Sequence, residues 1–281
     1  MILKYIFRHT NPDFLNRDLE KLTPKDIMFR KAIYHSGFKF GLLLLSTITF
    51  IGVFVPFFVD MSPYDQDISK RLLPPVWSEG GSWKYIFGTD GNGRDYLARI
   101  IYGTRVSLTI GIGAATVGML IGVTLGVIAG YFGGIVDQVV SYILTCQLAL
   151  PGILFLLTII SIVGSSLTVV ILVIGVLHWT LFLVVTRAAT QRIRNLDYIT
   201  AADAIGARKT NIIFTDILPN VLNQIIVIFT LEVGVAILAE ATISFLGLGI
   251  QPPTPSWGVL IAEGKEAIFF QPWLIILPGI A

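Results

Sequence analysis

The chain has 281 residues, of which 54% are apolar and only 14% charged, with a formal net charge of +2. Between Arg105 and Arg187 there is no lysine or arginine, and Asp137 is the one acid. A soluble domain of this size cannot cover its surface with so little charge, so a water-soluble globular domain is excluded and an all-α integral membrane protein is expected.

A spanning helix needs roughly 20 apolar residues, because the hydrocarbon core is about 30 Å thick and each residue rises about 1.5 Å. Segments 38–59, 107–129, 138–163, 167–186 and 220–246 reach that length. A sixth begins near Gln271 and stops at Ala281, about half the length of a span, which suggests a truncated chain.

Ahead of the first span lies a leader, residues 1–37, carrying Lys4, Arg8, Arg17, Lys21, Lys25, Arg30 and Lys31. Thr23 and Pro24 suit a helix N-cap and first turn. The leader is either an amphipathic helix on the inner membrane face or a disordered basic segment. No signal peptide is visible, since the first apolar run already has span length. The positive-inside rule puts this terminus in the cytoplasm. Span counting then puts the loop after the fourth span, with Arg187, Arg192, Arg194, Arg208 and Lys209, on the same side.

The longest polar loop, residues 60–104, falls on the outer side. Its stretch GTDGNGRD at 88–95 matches neither GxGxxG nor GxxxxGK[ST], and no strand precedes it; it reads as a turn-rich loop in which Gly and Asn tolerate positive φ. In the second span Ala114, Gly118, Gly122, Gly126 and Gly130 recur every four residues, a groove of small side chains that lets another helix approach closely. Cys146 is the single cysteine, which rules out an internal disulfide, and it reads as a small buried hydrophobe.

Pro151-Gly152 should kink or break the third span near its middle, and such breaks are tolerated beside neighbouring helices or a cavity, which makes Pro151 a candidate for the translocation path. His178 and Trp179 lie in the fourth span, where His178 has no acid one helical turn away in sequence; an interhelical hydrogen bond is favoured over a proton relay. Glu232 and Glu240 in the fifth span must face other helices or water. They either line the pathway or are each tied to a polar partner. The loop GLGIQPPTPSWG at 247–258 is a rigid outer segment, with Trp257 suited to the interfacial aromatic belt.

The segment DYITAADAIGARKTNIIFTDILPN at 197–220 interrupts this apolar pattern. Asp197 can cap a short helix, Gly206 can supply a left-handed turn, Thr210 can start a second helix, and Pro219 can re-initiate the fifth span. Ile212, Ile213, Ile217 and Leu218 suggest a membrane-facing side. Ala201 and Ala202 form a flat knuckle able to drop into a groove on a soluble partner.

This segment resembles the cytoplasmic coupling motif of ABC importer permeases, EAA, three residues, Gly, nine residues, Ile, one residue, LP. Ala201-Ala202, Gly206 and Leu218-Pro219 fall at matching places, Thr200 stands where the family has Glu, and Asp216 where it has Ile or, in the peptide branch, commonly His. GTDGNGRDYLARIIYGTRVSL at 88–108, AGYFGG at 129–134, LPG at 150–152, EATISFLGLGIQPPTPSWG at 240–258 and PWLIILPG at 272–279 resemble the second permease of the dipeptide, oligopeptide and nickel importer branch.

That resemblance implies a six-helix permease domain at 38–281 with a coupling segment at 197–219, in which Thr200, Ala201, Ala202, Asp203, Gly206, Ala207, Leu218 and Pro219 contact an ATPase. It implies a multi-pass inner-membrane protein and, as partners, a homologous permease, two ATPase subunits that carry ATP and Mg, an extracytoplasmic solute-binding protein, the lipid bilayer and a small peptide substrate, with no nucleic acid. A nickel chelate or another small solute is the alternative cargo. The chain itself has no Walker lysine motif, is expected to hold no cofactor or metal, and lacks the HExxH and GxSxG patterns of an embedded enzyme. A stand-alone channel or proton-coupled carrier using His178, Glu232 and Glu240 is the rival from another class.

Overall fold

The computed structural model describes residues 34–58 and 61–281; the leader helix expected around Thr23 and Pro24 lies outside them. The chain divides into two compact units, Met1–Val59 and Asp60–Ala281. All regular elements among the described residues are helical, and extended pairing is limited to the isolated bridges Ser82–Tyr85 and Thr89–Asp95.

In the first unit, α1 (Ser36–Phe58) runs for 23 residues and is apolar all round, the composition of a membrane span. Two of its hydroxyls bond within the helix: Ser46 donates to the Leu42 carbonyl at 2.6 Å and Thr47 to the Leu43 carbonyl at 2.7 Å, as expected where lipid offers no partner.

The second unit is built on α2 (Tyr96–Phe132), 37 residues and therefore about 55 Å long. It starts well before Ser107, where hydropathy alone begins the span. The cause is local: the Asp95 carboxylate accepts from the amides of Leu97 and Ala98, an N-cap that carries Arg99, Thr104 and Ser107 into the helix. Burial pushes the Asp95 carboxyl above its ordinary value even though those two amides pull it down. At the other end Gly133, with φ 64°, stops the helix.

After it come α3 (Gly134–Leu148), α4 (Gly152–Val163), α5 (Leu167–Leu177), α6 (Trp179–Arg194) and α7 (Asp197–Ala204). A three-residue helix, α8 (Lys209–Asn211), passes through a π turn at Ile212–Ile217 into α9 (Leu218–Phe245), and α10 (Trp257–Gly264) and α11 (Trp273–Ile280) follow. Among the described residues, α1, α2, α5 with α6, and α8 through α9 are long and apolar enough to cross a membrane; α3 and α4, bent by 83° at their junction, make a fifth as a broken pair. The break expected at Pro151 is therefore present, as a sharp corner. The segment expected to open a sixth span is the eight-residue α11.

The four-residue stripe on α2 is a backbone-to-backbone seam. Gly118, Gly122, Gly126 and Gly130 are all buried. A Cβ on Gly118 would lie 3.0 Å from the His178 carbonyl oxygen, one on Gly126 2.8 Å from that of Leu183, and one on Gly130 2.8 Å from that of Arg187. The stripe thus meets one ridge of α6, turn after turn. Gly111 on another side of α2 packs under Ile237 of α9, so α2 is sandwiched between α5–α6 and α9. Two ties hold α3 to this core. Asp137 accepts from the Arg187 guanidinium, with Nη2 to Oδ2 at 2.6 Å, and Gln147 accepts from the Trp179 indole while donating to the Leu177 carbonyl at 2.8 Å.

At the Asp95 end of α2 the turn-rich loop is fixed by buried charge. Asp90 Oδ2 lies 2.7 Å from Arg94 Nε and 2.6 Å from Arg99 Nη1, and both guanidiniums also bond Glu263 of α10. Arg94 and Arg99 are almost completely buried. Two buried cations left to share the single carboxylate of Asp90 carry an uncompensated charge, which costs several kcal/mol. Glu263→Ala is therefore expected to destabilise the fold by about 3 kcal/mol, the low end for a buried pair because Glu263 is partly exposed; Glu263→Gln should recover part of the loss. The thermal midpoint of the detergent-purified protein checks this, and equal midpoints for Ala and wild type would refute it.

Three expectations need correction. Trp257 does not join an exposed belt: it is buried at the start of α10, its amide donates to Ser107 Oγ at 3.1 Å, and its ring packs on Gly103. Cys146 is exposed on α3 and borders an open cavity with His178 and Trp179, so it is not a buried hydrophobe. Ile212 and Ile217 are buried in a cluster with Ile193, Ile199 and Val221; they face protein and not the membrane, since the π turn rolls them inward.

Candidate functional site

The polar segment 197–220 stands at the Phe132 end of α2, one helix length from the Asp90 cluster. Leu196 occupies the N-cap position of α7 without a side-chain bond, and Asp197 is its first helical residue, so the cap expected from Asp197 is absent. The C-terminus is closed as expected. Gly206 has φ +83°, its amide donates to the Asp203 carbonyl at 3.0 Å, and the Ala207 amide donates to the Ala202 carbonyl at 3.0 Å. This pair of bonds is a Schellman closure, which needs a left-handed residue where Gly206 stands.

The closure sorts the motif residues onto two sides. Thr200, Ala201, Asp203, Gly206 and Pro219 are exposed, while Ala202, Ala207 and Leu218 lean on the cluster around Ile199, Ile212 and Ile217. Ile205 at 86% and Phe214 at 67% exposure extend the outward face with apolar surface. The second helix begins at Lys209 and not at Thr210, and Pro219 falls in the first turn of α9, the span it is expected to re-initiate. Pro219 lacks the N–H an α-helical turn would use, and the widened turn absorbs this, with the Leu218 amide reaching back to the Ile213 carbonyl. The two residues that depart from the family pattern are bonded locally. Thr200 donates to the Leu196 carbonyl at 3.3 Å, and Asp216 accepts from the Thr215 hydroxyl at 2.9 Å.

Beside Thr200 and Asp203 runs a groove of about 300 Å³ walled by Tyr131, Phe132, Arg194 and Lys209. The two cations sit over the two rings, Arg194 at 6.0 Å from the Tyr131 centroid and Lys209 at 5.8 Å from that of Phe132, distances suited to cation–π attraction.

The pathway candidates separate. Glu240 is fully buried and accepts from Ser244 at 2.6 Å and from Ser256 at 2.7 Å. Ser256 caps α10 through the Val259 amide, so Glu240 joins α9 to the start of α10. Glu232 lies 2.7 Å from His178 Nδ1. The interhelical bond expected for His178 is present, and its partner is an acid 54 residues away that sequence proximity could not reveal. Pro151 sits at the corner between α3 and α4. Its neighbours Leu150 and Gly152, with Gln147, His178 and Thr242, border a cavity of about 600 Å³ between the broken pair, the α5–α6 junction and α9.

The sequence profile of the family described as binding-protein-dependent transport system inner membrane component matches residues 122–281, more than half of the chain. The chain belongs to this family. Among its relatives, the di/tripeptide transport system permease protein DppC of Pseudomonas aeruginosa is 34% identical over 258 residues, covering 92% of this chain and 85% of the relative. The dipeptide transport system permease protein DppC of Haemophilus influenzae is 37% identical over 244 residues, covering 87% and 83%, and that of Escherichia coli 36% over 260 residues, covering 92% and 87%. The permease is thus a multi-pass membrane component of a binding-protein-dependent transport system, and its matched region contains the glycine seam from Gly122 on, the broken pair α3–α4 and the whole of segment 197–220.

Proposed function

We propose that the chain is one of two homologous permease subunits of an ATP-driven importer that passes di- and oligopeptides received from an extracytoplasmic binding protein. Two ATPase subunits bind ATP and Mg, and the face of Thr200, Ala201, Asp203 and Gly206 sits on one of them. The observation that carries the reading is the closed knuckle at Gly206. A rigid turn with small residues and exposed Ile205 outward, backed by a packed cluster, transmits a push from outside into α9 and α6. A loose interhelical loop would not need a left-handed glycine or two closing bonds.

Charge supports a cytoplasmic knuckle and N-terminus. Arg192, Arg194, Arg208 and Lys209 are exposed at that end, whereas Arg94 and Arg99 at the other are neutralised by Asp90 and Glu263. Lys and Arg gathered in a short loop beside the ends of spans mark the inner side. The topology is six spans, with α11 opening the sixth. Peptide cargo follows the names of the relatives. Co-expression with the candidate ATPases and the second permease should give a stable complex whose liposomes take up labelled dipeptide only with binding protein and ATP. Uptake by the permease alone would refute the coupling and favour a channel or carrier.

A further inference from the structure

The 600 Å³ cavity and the His178–Glu232 bond belong together. His178 lies at the junction of α5 and α6, about 18 Å along the axis from the Ser166 cap and about 24 Å from Arg194, near the middle of that span. His178 is one of the residues bordering the cavity, and its ring is bonded to the carboxylate of Glu232 on α9, which is not itself part of the lining. With Nδ1 held by that carboxylate, Nε2 is the ring nitrogen with no partner among the described residues. A neutral imidazole that donates from Nδ1 to Glu232 presents its Nε2 lone pair as an acceptor.

The rest of the wall is neutral. Among the described residues no lysine, arginine, aspartate or glutamate borders the cavity, and the nearest cation along α6, Arg187, is paired with Asp137. Gln147 is also engaged, by Trp179 and Leu177. The formal charge next to this space is therefore the carboxylate of Glu232. Lipid cannot fill a space next to a mid-membrane carboxylate at low cost, but a ligand with a cationic end and an apolar body can. The volume is within the roughly 300–1,000 Å³ of small-ligand sites, and apolar residues, Leu150, Phe155 and Ile243 among them, make up most of the lining.

We propose that this cavity is a station for the transported peptide, in which the His178–Glu232 dyad receives the peptide's α-ammonium. An ammonium N–H donates to His178 Nε2, and the Glu232 carboxylate behind the ring supplies the compensating charge. The peptide's own carboxylate is directed away, because it would face the charge of Glu232. The inference rests on the peptide reading above and names which end of the substrate is recognised and by which residues.

Cys146, the chain's single cysteine, borders the same cavity and reports its occupancy. In liposomes holding the full importer, maleimide labelling of Cys146 is followed by mass spectrometry. A free dipeptide and its C-terminal amide should each slow labelling at least threefold; the N-acetyl dipeptide, whose amine is masked, should not. Glu232→Gln, shown to assemble by co-purification, should lose the protection and lower ATP-driven uptake by about tenfold, the scale of one charge-assisted hydrogen bond. Equal protection by the N-acetyl dipeptide, labelling unchanged by peptide, no labelling in any state, or uptake by Glu232→Gln equal to wild type would each overturn the proposal and leave the dyad as a tie between α6 and α9. If wild type takes up peptide while Cys146 stays unprotected, only this inference fails. If wild type takes up no peptide, the peptide reading fails with it.

Discussion

Gly122→Leu is expected to prevent the permease from accumulating as a folded protein. A Cβ at Gly122 would overlap the Trp179 carbonyl oxygen and the Phe182 Cβ, and a leucine adds three more carbons in the same space. The obstacle is backbone of α6, which no rotamer change removes. Relief requires α2 and α6 to part, and the contacts at Gly118, Gly126 and Gly130 lie on the same ridge, so they open together. Overpacking a tight interior costs about 1–3 kcal/mol and at times more; a rigid carbonyl and a shared seam place this site at or above about 3 kcal/mol. Gly122→Ala should be destabilised less, and Gly234→Ala on α9, where a new Cβ meets nothing within 4 Å, should be close to wild type. Fluorescence-detected size exclusion of the membrane extract checks the series. A monodisperse peak of normal height for Gly122→Leu would refute the seam as a stability determinant.

The same seam shows what could be read from the residues. A small residue every fourth position is a local, periodic signal, so the groove on α2 is legible in the sequence alone. The helix that fills it was not, because nothing in the spacing points to α6. The corner at Pro151 and the left-handed turn at Gly206 were legible for the same reason: each depends on the φ preference or missing N–H of one residue. The site chemistry is of the opposite kind. Charge in a membrane span says that Glu232 faces inward, but its partner His178 is 54 residues away, and Glu263 meets Arg94 across 169 residues.

Errors fell where tertiary burial outweighed a local preference. The sequence favoured Asp197 as a cap, but Leu196 takes that position because Ile199, one turn on, is drawn into the cluster with Ile212 and Ile217. That same burial turned Ile212 and Ile217 away from the membrane. Trp257 followed the same rule, since the bond from its amide to Ser107 and the space above Gly103 hold it inside.

Gly206→Pro is expected to leave the permease inserted and abolish transport. The native φ at Gly206 is +83°, and proline fixes φ near −65°. The substitution also deletes the amide that donates to Asp203, so both elements of the closure go together, and Ala207 loses the geometry that brings it back to Ala202. A conformation that proline cannot adopt is worth about 3 kcal/mol, which leaves the closed knuckle about a hundredfold less populated. The damage stays local because a side chain at Gly206 meets nothing within 4 Å, and the glycine lies outside the cluster that holds α6, α7 and α9 together. Gly206→Ala separates shape from bulk: it keeps the amide, accepts the positive φ at a cost of about 1 kcal/mol, and should retain a measurable fraction of uptake. In liposomes with the ATPases and binding protein, wild type, Gly206→Ala and Gly206→Pro should rank in that order for peptide uptake at equal permease content. Full uptake by Gly206→Pro would show that the closed turn is not the part that carries the stroke.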